Sequence, residues 1–432
     1  MVEFITNVNS AVNGFVWGVP MLVLLVGTGI LMTILTKFFQ LSHLGHWFKN
    51  TVGGIFHDEH VTKHTEAGDQ SISQFQSLCT ALAATIGTGN IVGVATAIAA
   101  GGPGALLWME IAAFFGMATK YSEGLLAIKY RTIDENNHVL GGPFYYIERG
   151  MGKNWKWLAK LFAFFGAGAG LLGIGTITQV NGITSAAQNF FDPNLQHVVF
   201  SIGSGASATP ITLTTIIAGI LVTLAVALVV IGGIKRIAQV SQIVVPFMAI
   251  AYVAFAIVLL VCNLPHIPNA IATIITAAFA PQAALGGVIG ATIKDAIQNG
   301  VARGIFSNEA GLGSAPIAAA AAQTKEPARQ GLVTMTGTFI DTIVVCTMTG
   351  LAIVITESWL PEYGLKGVQI TTRAFQVGLP FPGQFSAFIL MMCLVFFAFT
   401  TILGWDYYGE RCLEYFTNGS KGAVKCYRWL YI

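Results

Sequence analysis

Residues 75–100 read FQSLCTALAATIGTGNIVGVATAIAA, an apolar run with Gly87, Thr88, Gly89 and Asn90 at its centre. The run is long enough to cross a hydrocarbon core of roughly 30 Å as an α-helix. Two glycines and an amide at its midpoint predict an interruption, because unpaired backbone groups in a membrane are tolerated only around a polar cavity. The stretch therefore predicts a membrane helix that is broken at mid-membrane.

The composition of the chain is that of a membrane protein. Of its 432 residues, 54% are hydrophobic and only 10% are charged, whereas a soluble domain carries about 25% charged residues. The net charge of +2 indicates neither a nucleic-acid partner nor an anionic substrate. The cysteines lie singly, without a CxxC pair, and so predict no zinc site. The histidines of the first loop are too loosely spaced to predict a metal site: His43, His46, His57, His60 and His64.

Apolar runs recur along the chain and predict an all-α integral membrane protein that lies in a lipid bilayer. The predicted spans are Val16–Leu35, Phe75–Ala100, Ala105–Lys129, Trp157–Phe190, Thr212–Gly233, Ile237–Cys262, Gly286–Ala322, Gly331–Thr356 and Phe385–Tyr415, with a further helix from Tyr427. Lys and Arg gather in alternate loops, and cytoplasmic loops hold such an excess. The pattern predicts a multi-pass protein of the cell membrane with its N-terminus outside.

The seventh run carries a second interruption, since residues 307–316 read SNEAGLGSAP. Close helix packing is an alternative explanation for the glycines, because small residues allow membrane helices to approach one another. Packing does not explain Asn90, Asn308 or Glu309, since polar groups are costly in lipid. It does not explain Pro316 either, since proline breaks a continuing helix.

The two interruptions lie five helices apart when the first span is set aside, as expected for an inverted repeat. We therefore predict one transporter domain over 1–432, with an accessory helix at 16–35, a first five-helix repeat at 73–265 and a second repeat at 266–432. Paired breaks present helix N-termini to a carboxylate and carbonyl oxygens to a cation. This chemistry fits a zwitterion carried with a cation.

Several segments together resemble the alanine or glycine:cation symporter family. The resemblance is carried by Gly87–Ala97, Gly102–Gly104, Gly141–Pro143, Asn299–Gly304, Ser307–Gly311 and Gly404–Trp405. It implies a leucine-transporter-like fold, an inverted-repeat helical bundle with one extra N-terminal helix. It also predicts two further membrane helices after Cys426, so that the second repeat is incomplete at Ile432.

The resemblance places an amino-acid site at the two breaks, for alanine or glycine. Together with Gln179, a polar residue of an apolar helix, the predicted substrate contacts are Thr88, Gly89, Gln179, Asn308, Leu312, Thr401 and Trp405. Leu312 would lie over the substrate side chain. The bulk of Trp405 would shorten the pocket and favour small substrates.

The resemblance also implies sodium, which prefers oxygen ligands. The implied ligands are the carbonyls of Ala83, Thr85 and Ile86 and the side chains of Asn90, Asp341, Thr400 and Thr401. Alternatives remain open, because membrane threonines often bond to their own helix. Asp341 or Glu309 could instead form a structural ion pair with Arg303.

The predicted function is sodium-driven import of alanine or glycine, with no catalytic residue. A proton-coupled symporter of the same fold, with Asp341 or Glu309 as the carrier, is the alternative. No GxxxxGK[ST] loop or HExxH motif is present, so neither ATP hydrolysis nor a zinc-dependent enzyme is indicated. Two unlike breaks in one chain also differ from the symmetric filter of a channel.

Overall fold

The computed structural model describes residues 2–51, 53–54, 72–133, 139–203, 209–280, 292–324 and 326–432. These residues are largely helical, as expected in lipid, where each backbone N–H and C=O needs a partner inside its own segment. His57, His60 and His64 of the first loop lie outside the described residues. So do residues 286–291 of the seventh predicted span.

Twelve of the described helices precede residue 263. They are α1 Val2–Val16, α2 Val19–Leu35, α3 Phe39–Ser42, α4 Leu44–Asn50, α5 Gln74–Thr85, α6 Val94–Gly101, α7 Gly104–Lys129, α8 Pro143–Tyr146, α9 Lys156–Leu172, α10 Ile177–Phe191, α11 Leu213–Val230 and α12 Gly233–Cys262. The start of α5 is fixed by a capping box, in which Ser73 and Gln76 satisfy each other's free backbone N–H groups.

Eight described helices follow. They are α13 Ile267–Phe279, α14 Ile293–Asn308, α15 Ala315–Ala320, α16 Pro327–Thr338, α17 Thr347–Ile355, α18 Val368–Gly378, α19 Gly383–Phe416 and α20 Lys421–Tyr431. Thr292 and Asp295 form a second capping box at the start of α14.

Short irregular elements join these helices. π-Helical segments cover Gly89–Gly93, Ile147–Met151 and Phe339–Cys346, and 3-10 turns cover Lys153–Trp155, Leu264–His266 and Pro361–Tyr363. Two antiparallel hairpins lie in loops, β1 Thr132–Ile133 with β2 Val139–Leu140, and β3 Val198–Ile202 with β4 Thr209–Thr212. The hairpins add local strands to an otherwise all-α membrane protein.

Six described helical segments, three of which join consecutive helices (α1 with α2, α9 with α10, and α16 with α17), are long and apolar enough to cross a membrane, and the bent pair at Gln74–Gly101 makes a seventh. The six are Thr6–Leu35, Lys153–Phe191, Leu213–Val230, Gly233–Cys262, Pro327–Ile355 and Gly383–Phe416. Their apolar side chains face outward as well as inward: Phe247 is 63% exposed and Leu228 is 66% exposed. Such an outer surface fits lipid rather than water.

The helices pack around two long members of the bundle. α7 contacts α2, α14 and α16, and α19 contacts α9, α10 and α12. α14 approaches α7 closely at Gly300, where an added Cβ would lie 2.2 Å from the carbonyl oxygen of Ala105. A side chain at this position would force the two helices apart.

One predicted span differs from the structure, since Trp157–Phe190 is not continuous. It consists of α9 and α10, which are separated by residues 173–176. Gly173 ends α9, and at Gly175 an added Cβ would lie only 2.6 Å from the Cβ of Trp405. Two glycines thus let the chain leave the helix where it passes close to α19. The helices α13 and α18 lie in segments that the sequence analysis treated as loops.

Candidate functional site

The first predicted break is present between α5 and α6. α5 ends at Thr85, a π-helical segment begins at Gly89, and the axes of the two helical parts differ by 49°. The two glycines permit this path because they have no Cβ to clash with the close neighbours described below. The interruption lies in a fully buried part of the bundle.

Side chains replace the lost backbone bonds at this break. The N–H of Gly87 donates to Oδ1 of Asn90 at 2.9 Å, which leaves the carbonyl of Ala83 without its usual helical donor four residues later. The N–H of Thr88 donates to Oε1 of Gln179 at 3.1 Å. Carbonyl oxygens are thereby freed for another partner, as at other interrupted membrane helices.

Position 87 must be a glycine because α19 passes too close to it for a side chain. An added Cβ at Gly87 would lie 2.5 Å from Oγ1 of Thr401 and 3.0 Å from Oε1 of Gln179. The Thr401 hydroxyl donates to the carbonyl of Ile86 at 3.2 Å and to that of Phe397 at 3.0 Å. The predicted ligands Ile86 and Thr401 are therefore neighbours.

The second predicted break follows α14. Glu309, Gly311 and Gly313 all have positive φ angles, of 57°, 85° and 75°, and α15 begins at Ala315. The side chain of Asn308 accepts a hydrogen bond from the N–H of Ala310 at 2.9 Å. The chain thus leaves the helix in a left-handed turn that two glycines and one glutamate adopt.

Asp341 joins the two breaks. Its Oδ1 and its backbone carbonyl accept from Nδ2 of Asn90 at 2.8 and 3.0 Å. Its Oδ2 accepts from Ser307 at 2.9 Å and from Thr342 at 2.7 Å. Nδ2 of Asn308 donates to the Thr342 hydroxyl at 3.1 Å. Residues far apart in sequence therefore form one buried polar cluster around a single carboxylate.

The ion pairs considered for Arg303 are wrong within the described residues. Arg303 is exposed, whereas Asp341 and Glu309 are fully buried. The carboxylate of Asp341 is occupied by uncharged donors, and that of Glu309 by Ser314 and Trp405. A long arginine side chain at the outer edge of a bundle can reach water instead of a buried acid.

Trp405 borders the second break through Glu309. Its indole Nε1–H donates to Oε1 of Glu309 at 2.8 Å, and the Ser314 hydroxyl donates to Oε2. The indole is thereby held in one orientation against the unwound segment. Sequence spacing did not indicate this contact, because Glu309 and Trp405 lie on different helices.

Two charged residues of α7 were missed by the sequence analysis. Glu123 accepts from the N–H of Gly313 at 3.1 Å and so holds the unwound segment. Lys120 is 2% exposed and interacts electrostatically with Glu123, Glu309 and Asp341. The available signal was the presence of ionisable residues near the middle of an apolar run, which marks functional positions in membranes.

The predicted ligands Thr400 and Thr401 differ in orientation. Oγ1 of Thr400 donates to the carbonyls of Phe396 and Phe397 on its own helix and lies 3.5 Å from the sulfur of Met248. Thr401 alone of this pair contacts the first break. The open alternative of bonding within the helix thus describes Thr400 better than Thr401.

The predicted substrate contacts differ in whether their polar groups are already bonded within the protein. Both ends of the Gln179 amide are in use, because Nε2 donates to the carbonyl of Ile174 at 3.0 Å. The Thr88 hydroxyl is buried without a hydrogen-bond partner among the described residues. Leu312 packs with the cluster that includes Leu22 and Ile305, on the side of the accessory helix. The packing therefore separates Leu312 from Thr88 and leaves the Thr88 hydroxyl available.

Thr85 and Gly89 complete the first break. The Thr85 hydroxyl donates to the carbonyl of Ala81 at 3.1 Å. An added Cβ at Gly89 would lie 3.2 Å from Cα of Ser307, so the two breaks are in close contact there. The described residues contain no group of three or more His, Cys, Asp or Glu side chains that could hold a metal. The site instead offers carbonyl, hydroxyl and amide oxygens, which suit a hard monovalent cation.

Comparison with known proteins gives the same family along the whole chain. The sequence matches the sodium:alanine symporter family over residues 2–432. It is 46% identical over 437 residues to the sodium/alanine symporter AgcS of Methanococcus maripaludis, covering 100% of this chain and 87% of that protein. It is 53% identical over 429 residues to an uncharacterized transporter of Haemophilus influenzae, covering 99% of this chain and 86% of the relative.

A third relative is a putative sodium/proton-dependent alanine carrier protein, YrbD, of Bacillus subtilis. It is 36% identical over 439 residues, covering 98% of this chain and 81% of the relative. The similarity in all three cases extends across both breaks and is not confined to one motif.

Proposed function

The chain belongs to the sodium:alanine symporter family, and on that premise we propose that it imports alanine or glycine together with sodium. It is a multi-pass protein of the cell membrane, in a family of transporters rather than enzymes. The observation that carries the proposal is the polar cluster at Asp341, where residues of both broken helices meet in the buried interior.

One sodium ion binds, in this proposal, beside Asp341. The carboxylate supplies negative charge, and the side chain of Asn90 and the carbonyl of Thr85 supply neutral oxygens. In support, the Asn90 amide already lies against Asp341, with Nδ2 donating at 2.8 Å, and a turn of the amide brings Oδ1 to the ion. A cation of small radius is stabilised by such oxygen ligands more than it loses on leaving water, provided that the ligands are held in place.

A second sodium ion lies between the first break and α19. Its ligands are the carbonyls of Ala83 and Ile86 and the hydroxyls of Thr400 and Thr401. The freed carbonyl of Ala83 and the 3.2 Å contact between Thr401 and Ile86 support this arrangement. The Thr400 hydroxyl becomes a ligand after its side chain rotates away from the carbonyls of its own helix.

The substrate occupies the space between the breaks, next to Trp405. The Thr88 hydroxyl, which has no partner among the described residues, donates to the carboxylate of the substrate. Gly89 and Asn308 line the pocket. Gln179 acts indirectly by holding the backbone at Thr88. Trp405, whose indole is fixed by Glu309, closes the pocket and excludes long side chains. Leu312 remains the least supported of the predicted contacts.

The bundle consists, on this proposal, of two inverted repeats, 73–265 and 266–432, in a leucine-transporter-like arrangement. The paired positions of the two breaks support it. Alternating access follows from rocking one group of helices against the other around a fixed site. The sodium gradient supplies the energy.

Proton coupling is the second candidate. It is favoured by the relative YrbD, which is named a putative sodium/proton-dependent alanine carrier protein, and by the buried carboxylates Asp341 and Glu309. The same measurement tests both candidates, because replacement of sodium removes only the sodium-driven flux.

Uptake into proteoliposomes tests the proposed function. Labelled alanine, glycine and leucine are offered under an imposed sodium gradient, with choline replacing sodium in a parallel series and protein-free liposomes as the control. We expect alanine or glycine to accumulate only with sodium, and leucine to be excluded. Equal accumulation in choline would overturn sodium coupling, and a preference for leucine would overturn the assigned role of Trp405.

A further inference from the structure

Asp406 is a buried acid beside the proposed substrate pocket that the transport cycle described above does not use. It follows Trp405 on α19 and lies roughly 15 Å along the helix from the end at Phe416, since each residue adds about 1.5 Å. The basic residues of the adjoining loop place that end at the cytoplasmic side. Asp406 therefore lies past the midpoint of this 34-residue helix, in the buried part of its cytoplasmic half.

The carboxylate of Asp406 has no hydrogen-bond partner. The residue is fully buried, and neither Oδ1 nor Oδ2 has a donor among the residues that the structure describes. An unpaired charge in such a place costs several kcal/mol. A neutral carboxyl group, carrying a proton, avoids this cost.

The charged neighbours on α19 do not bond to Asp406 among the described residues. Glu410 lies one turn away, is 2% exposed and adds a second negative charge. Arg411 bonds to Glu414 at 2.7 Å. The helix itself therefore presents two buried acids in succession, and its Arg411, which bonds to Glu414, attracts the Asp406 carboxylate without a hydrogen bond to it.

Helix α20 supplies the remaining ionisable groups. Arg428 bonds to both oxygens of Glu410, with Nη2 to Oε2 at 2.8 Å. The hydroxyl of Tyr427 donates to the carbonyl of Ala167 at 2.9 Å, and that of Tyr431 to the carbonyl of Ile402 at 2.7 Å. Arg428 thus bonds to Glu410 and only attracts Asp406 electrostatically, and the tyrosine protons are bonded to carbonyls.

Among the described residues, the charges that act on Asp406 are those of Glu410, Arg428 and Arg411, which lie on α19 and α20. α9 faces this stretch of α19 with Ala167 and Gly170, and α5 faces it with Ala84. A metal ion would need several oxygen ligands, and none of the described groups places three acids, cysteines or histidines together. The excess carboxylate therefore fits a proton rather than a metal.

We propose that Asp406 is a proton-binding site, closed by Glu410 and Arg428 on its cytoplasmic side, which loads and releases a proton during each transport cycle. The proposal rests on the proposed transport function. When the cytoplasmic side opens, water reaches the carboxyl group, the O–H bond breaks and the proton passes to that water. When the side closes, a proton returns from cytoplasmic water and the O–H bond forms again.

The direction of the pH effect follows from this sequence. The neutral form of Asp406 stabilises the closed, buried arrangement of the structure, and the ionised form stabilises the open one. Acid on the cytoplasmic side therefore slows release of the substrate. Asp406→Asn is fixed in the neutral form, so its transport is slow and does not respond to cytoplasmic pH.

Infrared difference spectroscopy of the purified full chain tests proton binding without transport. The wild-type protein is expected to show a component of the protonated-carboxyl band at neutral pH that Asp406→Asn lacks. Asp406→Glu retains a shifted band. Glu326→Gln, which removes an exposed acid outside α19, keeps the wild-type band and serves as the control. An unchanged band in Asp406→Asn overturns the proposal.

Uptake tests the role of the proton in the cycle. In right-side-out vesicles under a sodium gradient, acidification of the interior is expected to slow wild-type and Asp406→Glu uptake and to leave Asp406→Asn unaffected. If uptake by Asp406→Asn responds to pH as the wild type does, Asp406 does not load and release a proton in the transport cycle. If uptake proves independent of sodium while the infrared band still depends on Asp406, the proposed coupling ion fails and the proton site stands.

Discussion

At Asp341, a single carboxylate organises the side chains of two broken helices. Asn90, Ser307 and Thr342 all donate to it, and it is fully buried. A buried carboxylate with three neutral donors is oriented but not neutralised, because none of these donors carries a charge. The residue therefore combines a fixed geometry with negative charge, as a sodium ligand requires.

Replacement of Asp341 by Asn tests this role. We expect the sodium concentration for half-maximal alanine uptake to rise by about tenfold or more, since an interaction with a charged group contributes roughly 1.5–3 kcal/mol. The expected change in the alanine concentration for half-maximal uptake at saturating sodium is smaller. Initial rates over a sodium series provide the measurement.

Glu326→Gln is the control for Asp341→Asn, because Glu326 is an exposed acid outside the polar cluster. It is expected to leave the sodium dependence unchanged. An unchanged sodium dependence in Asp341→Asn would remove Asp341 from the proposed ligands.

At the scale of secondary-structure elements, the breaks are fixed by contacts as much as by their glycines. Gly87 faces Thr401 and Gln179 at distances that exclude a side chain, and Gly89 faces Ser307. The unwound segment after α14 is held by Glu123 and Glu309. An interrupted membrane helix persists only where such partners replace the missing backbone bonds.

Gly87→Ala should therefore impair transport while leaving the fold intact. The new Cβ would lie 2.5 Å from Oγ1 of Thr401, so the first break and α19 must separate. We expect at least a tenfold loss in the rate of alanine uptake, because a shift of about 1 Å at a site can cost on the order of 100-fold. Uptake and size-exclusion profiles are measured together.

The matched control is Gly168→Ala on α9, where an added Cβ meets nothing within 4 Å. Its uptake should equal that of the wild type. A normal rate in Gly87→Ala would show that the two helices separate without consequence and would contradict the close contact inferred here.

At the scale of the whole molecule, α19 connects distant parts of the chain. Near its end, the Tyr415 hydroxyl donates to Glu148, which lies in the π-helical segment Ile147–Met151 before α9. Lys156 bonds to the other oxygen of Glu148 at 3.2 Å. The hydrogen bond from Tyr415, followed by the contact with Lys156, lowers the pKa of Glu148.

The sign of the pH effect follows from this lowered pKa. A carboxyl group whose pKa is lower in the folded state stabilises the fold at pH values above its pKa in the unfolded chain, about 4.3. This stabilisation is lost as the pH falls through the pKa of the folded state. Tyr415→Phe keeps the ring stacked on Phe144 and removes the hydrogen bond. We expect a loss of at most about 1 kcal/mol, since solvent screens Glu148.

Thermal unfolding in detergent at neutral pH and near pH 3 checks this expectation. The difference in melting temperature between the wild type and Tyr415→Phe should be present at neutral pH and become smaller near pH 3. Tyr363→Phe, outside this contact, is the control. A difference that grows in acid would contradict the assignment.

The sequence predicted the membrane helices and both breaks because hydropathy, glycine and proline act locally. Phe385–Tyr415 is confirmed as α19, and the interruptions at Gly87–Asn90 and Ser307–Pro316 are confirmed in position. The break between α9 and α10 was missed, since apolar residues continue across it. Its cause, the approach of Trp405 to Gly175, depends on another helix.

What the sequence by itself determined is a polytopic membrane protein with two interrupted helices and, through its motifs, its family. What only the tertiary structure decided is which polar groups meet. Asn90 contacts Asp341 across 251 positions of sequence, Glu309 contacts Trp405 rather than Arg303, and Asp406 is left without a donor among the described residues. Local patterns fix where a helix runs, but a buried charge is matched by whatever side chain the packing of other helices brings within hydrogen-bonding distance.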